Sequence, residues 1–329
     1  MIAVTGANGL LGKYIVERFI DAGESVIGIK RENSNIQDFQ IPIQEWRNAD
    51  ITDLVSLSDA LQGVTTVIHA AACVSFRPGD ASRIHHTNVS GTQNIVNTCL
   101  KIGIRRLIYV SSIAAFGKPH DKPVINESTK WVDDSKNSEY SISKYLAELE
   151  VFRGQEEGMS VAMVNPSVIL APANWNNSSA QIFKYVWSEK PFYVDGLLNY
   201  VDARDVSEMI YKIFKEGKNG KFIASAGNAS IKNFIDEIAK RFNKKPPYIK
   251  VNPTIVLIAS SFEWLRSKVT GSDPLFTRQN ARTASETYTY DSTKAKSELG
   301  IQFRSLQESL DWCCHFYNLK ISKLTHFCL

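Results

Sequence analysis

Short, uninterrupted apolar runs alternate with longer mixed segments through the first two-thirds of the chain. Ile2 to Val4, Ser25 to Ile29, Thr66 to His69, Arg106 to Val110 and Ser160 to Val164 have strand length. Their apolarity is continuous rather than alternating, which suits strands covered on both faces, as in a parallel sheet. Between them lie Lys13 to Ala22, Leu54 to Leu61, Asn88 to Ile102 and Tyr140 to Glu156, all of helix length. This order predicts an α/β fold in which helices flank a doubly wound parallel sheet.

After Pro166 the texture changes. Pro172 to Ser179 is loop-like, and Asn199 to Val206 reads as a return to the sheet domain. From about Ser230 the pattern is mostly helical, interrupted at Lys244 to Pro247 and at Thr270 to Pro274. Residues 1–166, joined by about 195–228, are therefore expected to form the sheet domain. About 167–194 and 229–329 are expected to form a smaller, mostly helical, interleaved lobe over the carboxyl ends of the strands, where ligands bind in open α/β sheets. The most apolar late run, Ile255 to Ala259, is far short of the roughly 20 residues that span a bilayer and reads as a buried helix.

Composition adds exclusions. Hydrophobic residues at 43% and charged residues at 22% of 329 suit a soluble globular chain. A net charge of +4 without a long basic block or basic-aromatic repeat argues against a nucleic-acid partner and leans weakly toward a small anionic ligand. Cys73, Cys99, Cys313, Cys314 and Cys328 are an odd number without metal-ligand spacing, and they read as reduced packing thiols. His85-His86 lacks further ligands and reads as surface, so no metal site is expected. Met1 runs directly into IAVTGANG with no leader pattern, and a cytoplasmic location without a membrane partner is the expectation.

The first strand runs into Thr5-Gly-Ala-Asn-Gly-Leu-Leu-Gly12, which sets Gly6, Asn8, Gly9, Leu10, Leu11 and Gly12 at the first strand-to-helix junction. Glycine is needed there because the backbone bends sharply and a pyrophosphate must approach without meeting a Cβ. The following helix offers unpaired N–H groups and the positive end of its dipole. A dinucleotide site is predicted from that placement. The second strand ends in Lys30-Arg31, where an NAD-preferring site usually carries an acidic residue. Two cations suit a 2′-phosphate, which favours NADP(H) over NAD(H); the alternative reading is a solvated basic strand end. Asp50-Ile51 is placed to border the adenine.

Tyr140 and Lys144 stand four residues apart, on one face of the predicted helix. An ammonium there is expected to favour tyrosinate and draw the phenol below its ordinary pKa of about 10. Taken together, TGANGLLG, HAAA at 69–72, NVSGTQN at 88–94, YVSSIAAFG at 109–117, YSISK at 140–144 and NPS at 165–167 resemble the extended branch of the short-chain dehydrogenase/reductase superfamily over roughly the first 210 residues. The resemblance implies a Rossmann fold with Ser112, Tyr140 and Lys144 as catalytic residues. It implies cofactor contacts from Ala70, Ala71, Ala72, Asn88, Val110, Ser111, Pro166, Ser167 and Val168, with Tyr140 and Lys144 also touching the cofactor. It also implies homodimers through the helices that here include Asn88 to Ile102 and Tyr140 to Glu156. His69 more simply packs or bonds locally than acts as a base, and Asn88 is suited to tying neighbouring backbone.

Two chemistries follow from the resemblance: reduction of a ketone or aldehyde (or oxidation of the alcohol), as in the dihydroflavonol reductase and 3β-hydroxysteroid dehydrogenase-like subgroup, or nucleotide-sugar epimerisation or dehydration with retained cofactor. NPSVILAP has Ala171 where sugar-nucleotide members carry glycine. No Arg shortly precedes Val201-Asp202, and no acidic pair follows Ser112. These departures favour the carbonyl substrate. Trp175, Phe183, Trp187, Phe262 and Trp264 are candidates for an apolar pocket wall.

Overall fold

The computed structural model describes the chain except residues 35, 37–40, 42, 76–77, 120–122, 136, 176–178, 252–287 and 327–329. The readings made on Ile255–Ala259, Thr270–Pro274, Phe262, Trp264 and Cys328 lie outside the described residues. The chain groups into two compact units. The first comprises Met1–Ile169, Val201–Ser225 and Tyr290–Phe303; the second comprises Leu170–Tyr200, Ala226–Thr289 and Arg304–Leu329. Tyr290–Phe303 thus groups with the sheet, although it falls within the stretch read from sequence as helical lobe.

In the first unit, seven strands among the described residues form one sheet: β1 Ile2–Thr5, β2 Val26–Lys30, β3 Glu45–Asn48, β4 Thr66–His69, β5 Arg106–Val110, β6 Ser160–Pro166 and β7 Gly220–Ala224. Their spatial order is β7-β6-β5-β4-β1-β2-β3, with every neighbouring pair parallel. The connection reverses between β1 and β4, which opens the ligand crevice of this topology at the carboxyl ends of those strands. Every residue of β1 and β4 is buried, as continuous apolarity predicts. Each fully buried Ile or Val side chain contributes roughly 1.5–3 kcal/mol. The sequence pattern located five of these strands. It did not delimit β3, whose sequence EWRN has exposed ends, or β7.

Helices α1 Leu10–Asp21, α2 Leu54–Ala60, α3 Ala81–His85, α4 Gly91–Ile102, α5 Glu139–Glu156, α7 Ala203–Lys215 and α9 Thr293–Leu299 belong to this unit. Between α3 and α4 the backbone widens into a π-helical turn over His86–Ser90. Ile95, Val96 and Cys99 of α4 and Ala147 and Val151 of α5 bury one sheet face with Leu107, Tyr109, Val161 and Met163. On α1 and α7, the Phe19 ring meets Tyr211 and Phe214, each at 5.3 Å, and Arg18 pairs with Glu208. No helix of the described residues is long and apolar enough to cross a membrane.

The second unit carries α6 Ala180–Trp187, α8 Ile231–Phe242 and α10 Leu306–His326, with Leu197–Tyr200 antiparallel to Gly227–Ser230. Ser230 caps α8 by accepting from the Asn233 amide, and Asn243 closes it in the left-handed region at φ 52°. Its core is aromatic. Tyr317 packs against Trp175 at 4.7 Å and Phe183 at 5.3 Å, while Trp187 packs against Phe242 at 5.2 Å. Here the expectation of a pocket wall is corrected for Phe183, which is fully buried against Phe234 and Tyr317, while Trp175 and Trp187, packed onto the same cluster, are half-buried.

Candidate active site

At the end of β1 the chain turns at Gly6, where φ is +66° and a Cβ would stand 2.8 Å from the Ala71 Cα. At Gly12 a Cβ would lie 2.0 Å from the Gly6 carbonyl oxygen, so a side chain at either position breaks the turn. The N-cap of α1 is Gly9, which supplies no side-chain cap, so the first amides of the helix keep their anion-binding capacity. Asn8 is exposed on the loop, and Leu11 is buried beneath it. The Ala71 amide donates to Thr5 Oγ1 at 3.2 Å and ties the loop after β4 to the glycine turn.

The adenine side is only partly as expected. Lys30 Nζ donates to Asn48 Oδ1 at 2.8 Å, which ties that ammonium to β3, whereas the Arg31 residue is exposed. Asp50 Oδ1 accepts from the amide and hydroxyl of Thr52, at 2.9 and 2.7 Å. Desolvation pushes its carboxyl upward, but these bonds, with Arg31 and His86 nearby, outweigh it and hold the group below the usual carboxylate range. The Ile51 carbonyl accepts from Asn94 Nδ2 at 3.0 Å, an anchor the sequence reading missed.

Asn88 does what its position suggested. Its Oδ1 accepts from the Cys73 amide at 2.7 Å, and its Nδ2 donates to the Cys73 carbonyl at 3.0 Å and to Ser143 Oγ at 2.9 Å. The Ser143 hydroxyl donates to the Tyr140 carbonyl at 2.8 Å. One amide side chain thereby joins the Ala70–Cys73 loop, the π-turn and the helix of Tyr140.

That helix, α5, begins because Ser138 caps it, its hydroxyl oxygen accepting from the Ser141 amide at 2.9 Å. Its buried side holds Ser141, Ser143, Lys144 and Glu148 beside Ala147 and Val151, while Leu149 and Phe152 are exposed. Tyr140 faces Ser112, which follows β5 and caps the short turn Ile113–Ala115 by accepting from the Ala114 amide at 3.1 Å. Lys144, the third residue expected to act with them, stands one turn along the same helix. The expected lowering of Tyr140 is overturned, however. Desolvation raises the phenol above its ordinary value of about 10; Ser112 opposes this and Cys73 adds to it, so at neutral pH the group is a protonated acid.

Lys144 faces another tyrosine. Its ammonium is 1% exposed and donates to the Tyr109 hydroxyl at 2.8 Å and the Val110 carbonyl at 2.9 Å. Burial brings it down to about 7, with Glu148 opposing the fall. His69 is fully buried and held neutral, with its pKa down to about 3 through desolvation and the Lys144 charge. Its ring nitrogens meet Thr5 Oγ1 at 2.7 Å and Thr92 Oγ1 at 3.1 Å, in keeping with local bonding rather than acid-base work. At the carboxyl end of β6, Asn165 Nδ2 donates to the Ser112 carbonyl at 2.9 Å and to Glu148 Oε1 at 2.6 Å. Ser111 Oγ and Ser167 Oγ are buried with no hydrogen-bond partner among the described residues. Pro166 is buried and Val168 half-buried beside that serine. A glycine cradle, an uncapped helix N-terminus and two orphaned hydroxyls at the ends of neighbouring strands fit a dinucleotide with an amide-bearing ring.

A family model described as NAD dependent epimerase/dehydratase family matches residues 2–224. A Synechocystis protein provisionally named dihydroflavonol 4-reductase is 28% identical over 95% of this chain and 93% of its own. The crystal structure of gox2253 superimposes with a TM-score of 0.82 at 27% identity, covering 97% of this chain and 98% of its own. A nucleoside-diphosphate-sugar epimerase from Pseudomonas aeruginosa shares the fold, with a TM-score of 0.79 at 20% identity and 97% of each chain covered.

Proposed function

The chain belongs to the NAD-dependent epimerase/dehydratase family, and from that premise we propose that it is an NADP(H)-dependent oxidoreductase that reduces a ketone or aldehyde, or oxidises the corresponding alcohol. The observation that carries this reading is half-buried Tyr140, which faces Ser112, is raised by desolvation and so starts as an acid, and stands one helical turn from Lys144. When bound, the nicotinamide supplies a hydride to the carbonyl carbon or accepts one in reverse. Tyr140 gives its proton to the carbonyl oxygen, and Ser112 steadies that oxygen by hydrogen bonding. A phenol raised above its ordinary range suits the reductive direction, in which it begins as the acid.

The glycine loop and the N-terminus of α1 would hold the pyrophosphate. Ser111 and Ser167 would take the amide-bearing ring, and Arg31 the 2′-phosphate. Against the sugar-nucleotide alternative, the Arg204 guanidinium forks onto buried Asp202 at 2.9 and 2.7 Å, which commits it to its own helix cap. The Synechocystis relative, matched over 95% of this chain, carries a reductase name.

The test is consumption of NADPH, with NADH in parallel, against aldehydes, ketones and nucleotide sugars. Oxidation of NADPH by a simple carbonyl, faster than of NADH, is expected. Conversion of a nucleotide sugar without net cofactor change, and no carbonyl turnover, would replace this reading with the epimerase one.

A further inference from the structure

A buried ammonium persists only where acceptors replace the water it has lost. The Val110 carbonyl is one acceptor for Lys144, and the Tyr109 hydroxyl is its side-chain partner. Among the described residues, the charged and titratable groups that face Lys144 come from three elements. Glu148, a turn further along α5, favours the charged form, but its oxygens are committed to Asn165 and, at 2.6 Å, to Lys221 Nζ. His69 on β4 is neutral. Tyr140, on the same helix, is an uncharged phenol at neutral pH. Tyr109 on β5 therefore supplies what these groups do not.

Its oxygen accepts from Lys144, and Thr92 beside it draws the phenol's pKa down against desolvation. Thr92 donates to the Asn88 carbonyl at 2.6 Å, which leaves its oxygen to accept from His69 Nε2–H. The Thr5 hydroxyl donates to His69 Nδ1, and the Ala71 amide donates to Thr5 Oγ1. One arrangement of protons satisfies Thr5, His69 and Thr92. Strand register builds the row, since Thr5 pairs with His69 and His69 with Tyr109 across the parallel sheet. The rings of His69 and Tyr109 stack at 5.5 Å, and Lys144 Nζ stands 4.5 Å from the Tyr109 ring centroid.

We infer that Tyr109 is a positioning residue, whose hydroxyl fixes the Lys144 ammonium beside the candidate active site, one helical turn from Tyr140. The inference builds on the roles proposed above for Tyr140 and Lys144 and adds a residue to them. Tyr109→Phe removes the hydroxyl and keeps the ring on His69 and under the ammonium, so a change in Lys144 reports the hydrogen bond.

The experiment follows Lys144 directly, by NMR titration of protein labelled with 13C at lysine Cε, with the resonance assigned through Lys144→Met. Lys144 titrates near 7 in the wild type, and in Tyr109→Phe the midpoint falls by about one unit or more, as the loss of one charge-assisted bond requires. An unmoved midpoint in the folded variant overturns the inference. If Tyr109→Phe does not fold, Tyr109→Met, which also lacks the hydroxyl, decides by the same titration: the midpoint falls, and an unchanged midpoint overturns the inference. The titration needs neither cofactor nor substrate. Failure of the carbonyl assay and failure of this inference are therefore separate outcomes.

Discussion

Two tyrosines of this chain are buried to the same degree and live in opposite surroundings. Tyr317, in the second unit, is enclosed by Trp175, Phe183 and Phe316, and its hydroxyl accepts a backbone amide, that of Ala173, at 3.2 Å. Tyr109, in the first unit, stacks on His69, which bonds Thr5 and Thr92, and its hydroxyl accepts from Lys144. Desolvation lifts both phenols above their ordinary value. The difference lies in what each neighbourhood does with a polar group. The aromatic cluster tolerates one and seals it. The polar cluster uses it to keep a charge where water has been removed. Burial alone therefore does not separate core from site; the chemistry of the partners does.

The largest effect that sharpens this contrast falls in the aromatic cluster. Phe183→Ala opens a cavity and costs about 3–5 kcal/mol of unfolding free energy, read by denaturant titration. A loss well below 1 kcal/mol would mean that the ring lines open space. Next comes Lys144. Its folded pKa, about 7, lies below the unfolded value near 10.5, so between those limits the unfolded chain binds more protons and stability rises with pH; below 7 both states are charged and the dependence disappears. Relative to Lys144→Met, the wild type should gain on the order of 4 kcal/mol between pH 7 and 10.5. A flat difference would mean that Lys144 titrates folded as it does unfolded. The smallest effect is Tyr317→Phe, which removes one hydrogen bond and costs about 1 kcal/mol, seen as a modest fall in Tm with no change in turnover. A changed turnover would erase the distinction between the clusters.

The sheet was legible where burial is symmetrical. TVIH and RLIYV read as strands with the bounds that β4 and β5 have, because both faces are covered and nothing polar interrupts them. EWRN of β3 was not, because it is an edge strand bonded only to β2 and its ends are exposed. The places of the glycine turn after β1, of Ser112 after β5 and of Tyr140 and Lys144 on α5 were legible as local spacings and ordered motifs. Tyr109 was not. On its own strand it reads as one more apolar residue, and only the register with His69 and the crossing of α5 bring it to Lys144. The same lack of long-range pairing let Phe183 pass as a pocket residue when it is core, and let Lys144 be credited with lowering Tyr140 when its bonds go to Tyr109 and Val110.

The central claim is that Tyr140 delivers the proton that completes carbonyl reduction. The most direct measurement is kcat for Tyr140→Phe with a carbonyl compound that the wild type reduces, together with Kd for NADPH. A fall in kcat of about 10²–10⁴-fold with Kd unchanged is the predicted result. Turnover close to that of the wild type would contradict the account, because the proton would then come from another group.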